Sequence, residues 1–133
     1  GDCSNHPNKI FKRRLRLESV QNAVEQAKSV AASIAGNPKP YQEVPWFWSD
    51  QYNIKLKIAG ISQNHDQYVI RGNIKEEKFA VFYLQEKKLI AVDAINNQIA
   101  FSNGKRLIAL SAEVPPEVLQ NTDIDLKELV KQY

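Results

Sequence analysis

The chain has 133 residues, 43% hydrophobic and 25% charged, a globular mix long enough for one domain with a core. The net charge of +3, from 18 Lys+Arg against 15 Asp+Glu, is too mild to point to nucleic acid by itself. No apolar run reaches the length of a membrane span, no apolar segment follows the basic N-terminal residues as a signal peptide requires, and one cysteine, Cys3, excludes an internal disulfide and fits a reducing, cytoplasmic setting.

Residues 1–16 read as irregular, with Asn5, Pro7 and Asn8 as turn formers, followed by a basic run of Lys9, Lys12, Arg13, Arg14 and Arg16. That run reads either as a solvated segment or as a surface that steers an acidic partner. From Leu17 the apolar residues Leu17, Val20, Val24, Ala27, Ala31 and Ile34 recur at helical steps, which predicts a core helix. Ser19 is its expected N-cap, and Gly36 with Pro38 its expected stop. A proline-rich loop, GNPKPYQEVP, leads into WFWSDQY, the densest aromatic cluster. Four strand-like runs follow: KLKI, QYVIRG, FAVFYLQ and LIAVDAI, with FAVFYLQ expected at the centre. Turns are expected at Asn64–Asp66, Lys75–Lys78 and Glu86–Lys88, and the even spacing predicts an antiparallel meander. Ile99, Leu107, Ile108 and Leu110 suit the apolar side of a second helix that Gly104 interrupts, and 125–130 reads as a last short one. The predicted class is α+β: a long N-terminal helix, then a small antiparallel β-meander packed with C-terminal helices.

No metal-ligand spacing, phosphate loop, nucleophile elbow or complete dinucleotide fingerprint is present. Three stretches carry chemistry. Gly1-Asp2 can end a strand and accept hydrogen bonds from ligand hydroxyls, although the dipeptide is common. Glu18-Ser19-Val20 stands at a helix start, where free N–H groups and the helix dipole favour an electron-rich atom, as they also do in any capped helix. Trp46 and Trp48 offer flat faces for a planar ligand, or equally for packing.

Together these stretches form a specific pattern. GDC…HPN…RRLRLESVQNAVEQAK…VPWFWSDQY, continued by IKLKIAGIS, YVIRGN, FAVFYLQEKKLIAVDAIN, KRLIA and DLKELV, closely resembles the C-terminal third of FAD-dependent ferredoxin reductases of the rubredoxin and putidaredoxin reductase type. The resemblance covers nearly the whole chain. It implies that residues 1–40 end an FAD-binding domain and that 41–133 form a reductase C-terminal, or dimerisation-type, domain. It implies Asp2, Val20 and Trp46 as FAD contacts and Glu18 and Trp48 as NAD(P)H contacts. Lys12, Arg13, Arg14, Arg16 and Trp48 would receive an iron–sulfur ferredoxin or a rubredoxin. The chain then reads as a fragment whose FAD and NAD lobes lie upstream, inactive alone and open to pairing with itself. The alternative is a non-catalytic interaction or dimerisation module derived from such reductases.

Overall fold

The computed structural model describes residues 1–133. They form two compact units, Gly1–Phe47 and Trp48–Tyr133.

In the first unit, strands β1 (His6–Asn8) and β2 (Arg13–Leu15) make a two-stranded antiparallel sheet. Asn8 is buried at its turn, and its Oδ1 accepts the N–H groups of Ile10 at 3.0 Å and Phe11 at 3.1 Å. Helix α1 (Val20–Ile34) follows. Ser19 caps it, its Oγ accepting the Asn22 N–H at 3.1 Å. Its end is a Schellman motif: Gly36, at φ 75°, donates to Ser33 O and Asn37 donates to Ala32 O.

Strand β3 (Trp46–Gln51) crosses the boundary between the units. The second unit continues with β4 (Ile54–Gly60), β5 (Gln67–Asn73), β6 (Lys78–Gln85) and β7 (Lys88–Ile95). Then come α2 (Gln98–Ala109), α3 (Pro116–Gln120) and α4 (Leu126–Val130). Glu86 and Lys87, both left-handed at φ 49° and 69°, form the two-residue turn between β6 and β7. Helix α2 packs on β4, β6 and β7. Gly104 is the point of closest approach: a Cβ there would lie 2.7 Å from Val92 Cγ1 and 3.3 Å from Phe82 Cε1. The core is Phe82, Leu84, Leu89, Val92, Leu107, Ile108, Leu119 and Leu126, all at 2% exposure or less.

The domain is α+β, with a five-stranded antiparallel sheet and four helices, but its layout departs from the expected one. The long helix is not the first element, because the β1–β2 sheet precedes it. Three-residue strands are too short to show a period of two, so the pattern of residues 1–16 hid them. The five-stranded sheet is not a meander. Its order is β3-β4-β7-β6-β5, so β4 pairs with β7 and the chain crosses to the far edge before β5, a Greek-key arrangement. The link over 61–66 is as short as many hairpin loops, and length alone does not reveal which strand lies alongside. β7, not β6, is therefore central. On α2, the buried face is Ala100, Phe101, Asn103, Gly104, Leu107 and Ile108, while Ile99 and Leu110 are exposed. On α1, the apolar stripe is outside: Val20 is 60%, Val24 44% and Ile34 83% exposed, and the buried residues are Gln21 and Asn22.

Candidate functional site

The entrance to α1 gathers several of the residues the sequence singled out. Leu17 is buried and anchors the turn, so that Glu18 projects into solvent and Val20 becomes the first helical residue. Val20 and Gln21, in the first turn, have no carbonyl acceptor within the helix, and that turn carries no acidic residue. The N-terminal partial charge is therefore not offset from within the helix.

Arg16 ties two neighbours to this turn. Its guanidinium pairs with the Glu18 carboxylate and donates to the Asp2 backbone carbonyl at 3.3 Å. Both side chains of the ion pair are more than half exposed, so its worth is mostly geometric. Gln21 brings in the loop that precedes β3. Its Oε1 accepts the Trp46 N–H at 3.4 Å and its Nε2 donates to the Tyr41 hydroxyl at 3.5 Å. Burial pushes the Tyr41 phenol above its usual pKa, the Gln21 contact opposes that, and Glu43 and Glu25 add to it. Asp2, Arg16, Glu18, Val20 and the Trp46 backbone thus share one region of the first unit.

The remaining basic residues lie along the hairpin. Lys12 sits at its turn with φ 51°, and Arg13 and Arg14 are exposed on β2. Arg14 donates to the Asn5 carbonyl. Trp48 belongs to the second unit and is 45% exposed, whereas Trp46 is half-buried.

Three groups of polar residues were not anticipated. In the first unit, His6, Asn22 and Gln26 are linked by hydrogen bonds. Their only trace in the sequence is that the polar residues in the first half of this amphipathic helix are mostly amides, not charges. In the second unit, buried Arg71 donates to the carbonyls of Leu119 (3.2 Å), Asn121 (2.5 Å), Thr122 (3.4 Å) and Ile124 (2.6 Å). One guanidinium thereby holds the end of α3 and the loop to α4. An arginine inside the otherwise apolar run YVIRG was the signal. Also in that unit, the Tyr83 hydroxyl donates to Asp93 Oδ2 at 2.9 Å, with the His65 ring 5.0 Å from the Tyr83 ring. Burial first, and then Asp93, push the Tyr83 phenol up to about 12, while burial raises the Asp93 carboxyl.

Comparison with known proteins gives this geometry its context. Residues 46–130 match the family model described as Reductase C-terminal. A putidaredoxin reductase of Pseudomonas putida is 39% identical over 98% of this chain and 31% of its own length. A rhodocoxin reductase of Rhodococcus erythropolis is 36% identical over 100% of this chain and 31% of its own. The crystal structure of a ferredoxin reductase from Rhodopseudomonas palustris superposes with a TM-score of 0.93 at 40% identity, over 98% of this chain and 32% of that one. A covalent putidaredoxin reductase–putidaredoxin complex gives 0.93 at 39% identity, over 99% and 32%. The chain thus spans about a third of the length of these relatives.

Proposed function

This chain belongs to the reductase C-terminal family, and on that premise we propose that it is the C-terminal part of a flavoprotein carrying electrons from NAD(P)H through FAD to a [2Fe–2S] ferredoxin or a rubredoxin. The observation that carries this reading is the convergence of the Asp2 backbone, Glu18, Val20 and the Trp46 backbone around the N-terminus of α1. When bound, FAD takes a hydride from the nicotinamide and releases electrons singly to the iron–sulfur partner; the protein binds and orients it. Val20 offers its N–H, with the α1 dipole behind it, to a flavin ring carbonyl, where it favours negative charge. Asp2 holds the flavin's ribityl chain, Trp46 lines the flavin edge, and Glu18 and Trp48 contact the nicotinamide.

Residues 1–40 complete the FAD-binding domain in this reading, and 41–133 are the reductase C-terminal domain. The exposed stripe of Val20, Val24 and Ile34 is the surface that FAD and NAD lobes elsewhere in the protein cover. Lys12, Arg13, Arg14 and Arg16, with Trp48, meet the acidic electron acceptor. The fragment alone is inactive, because most flavin contacts lie in those other lobes, and the protein works in the cytoplasm. No helix of the structure is long and apolar enough to cross a membrane. A second reading, an interaction or self-association module derived from such reductases, is favoured by the same exposed stripe.

The test is the visible spectrum of the full-length protein, purified anaerobically, before and after NADH. A flavin spectrum that bleaches supports the reductase. A colourless protein that takes up no FAD overturns it and leaves the module.

A further inference from the structure

Amides share the interior of the first unit with Leu15, Leu17, Val44 and Pro45. Asn22 is fully buried, at 0% exposure. Its Nδ2 donates to the Leu17 carbonyl at 2.8 Å, and its Oδ1 accepts from Gln26 Nε2 at 3.0 Å. Gln26 Nε2 also lies 2.9 Å from His6 Nδ1. On its other side, Gln26 Oε1 accepts from Ser4 Oγ at 2.7 Å and from the Gly1 nitrogen. Both donors and both lone-pair directions of Gln26 are therefore used.

The chain of bonds has one direction. Leu17 offers a carbonyl, so Asn22 turns Nδ2 to it and leaves Oδ1 for Gln26. Gln26 then turns Nε2 to Asn22, and that same nitrogen reaches His6. His6 Nδ1 is consequently an acceptor, and the ring is neutral with its proton on Nε2, a buried atom with no hydrogen-bond partner. The charged and aromatic groups facing the ring are Arg14 from β2 and the Tyr41 ring, edge-on at 4.9 Å. No carboxylate among them favours an imidazolium. Burial first, with the Arg14 charge adding to it, holds the His6 pKa below the usual histidine value.

We propose that Gln26 and His6 are positioning residues for the Leu17–Val20 turn, and that a proton on His6 releases that turn. Protonation at Nδ1 sets two donors against each other across the His6–Gln26 contact. Gln26 cannot reverse its amide without setting its Oε1 against Asn22 Oδ1. The link is complete above the ordinary histidine pKa and is lost as pH falls through the lowered pKa of His6. The functional half of this inference rests on the reading that Glu18 and Val20 face nicotinamide and flavin.

The test has two arms. In this chain, long-range proton–nitrogen NMR is expected to show His6 neutral with Nε2 protonated. The protected side-chain amide signals of Asn22 are expected to vanish as His6 titrates. A proton on Nδ1, or Asn22 signals indifferent to that titration, overturns the relay. In the full-length flavoprotein, FAD affinity is expected to fall about tenfold on acidification through the same pH range, the scale of one lost buried hydrogen bond. His6→Asn, whose Oδ1 replaces Nδ1 as acceptor and does not titrate, is expected to abolish that acid dependence, and His6→Leu to bind FAD weakly at every pH. Wild type and His6→Asn sharing one acid dependence overturns the positioning role. A wild-type protein that never takes up FAD overturns the reductase reading and with it the flavin half of the proposal, while the NMR arm still decides the relay.

Discussion

In the unit formed by Trp48–Tyr133, large apolar side chains point inward, with Phe82, Leu84, Leu107 and Leu119 all at 0% exposure. In Gly1–Phe47, the helix does the reverse. Asn22 is buried and Gln21 nearly so, while Val20, Val24, Val30 and Ile34 on α1 face solvent. Burying apolar area drives folding, so the second unit carries its own driving force. The first buries a small apolar set, Leu15, Leu17, Val44 and Pro45, and adds directional amide bonds, whose net worth is small once their exchange with water is counted. An amphipathic helix does not by itself declare which side is inside. Here the apolar side is the one left over, the arrangement expected of a surface made for contact with something else.

The most damaging change should be in the second unit. Leu107→Ala removes a fully buried side chain and is expected to cost about 2–5 kcal/mol in denaturant unfolding. A loss well below that range would mean the two interiors are less different than they look. Next, Arg71→Met takes the donor from four carbonyls and is expected to cost about 3 kcal/mol. Hydrogen exchange should accelerate first between α3 and α4; unaltered exchange there would remove Arg71 as the clamp. A milder, pH-dependent effect belongs to Tyr83. Its phenol titrates at about 12 in the fold and nearer the ordinary 10 when unfolded, so its stabilisation is present below pH 10 and lost as pH rises to 12. Tyr83→Phe should erase that alkaline loss, and an identical alkaline melting profile would exclude the buried Tyr83 phenol as its source. The smallest effect is expected from Ile34→Gln, within about 0.5 kcal/mol in this chain because the side chain is 83% exposed. A thermal melt that falls sharply would place Ile34 in an interior. A loss confined to the longer flavoprotein proposed above would sharpen the contrast, by showing that the α1 stripe is covered there.

Much of the local structure was legible. Ser19 and Gly36 bracket α1 because capping needs only a side chain or a backbone angle at one position. The Glu86-Lys87 turn stood out from two flanking apolar strands. Of the candidate site, Asp2, Glu18, Val20 and Trp46 came from the sequence, but the residues that gather them did not. Arg16 stood out only as part of a basic run, and Gln21 as an ordinary helix residue. Hydrogen bonds between positions 14 or 25 apart leave no period in the chain.

By itself the sequence determined the family likeness, the α+β class, the caps of α1 and the positions of β4 to β7, while β3 read only as an aromatic cluster. Each depends on a residue's identity and its neighbours within a turn or two. Only the tertiary structure decided that β4 lies against β7, that α1 turns its amides inward, and that Arg71 holds α3 and the loop to α4. Those outcomes are set by competition among distant surfaces for the same buried space, and burial belongs to the assembled fold rather than to any one segment.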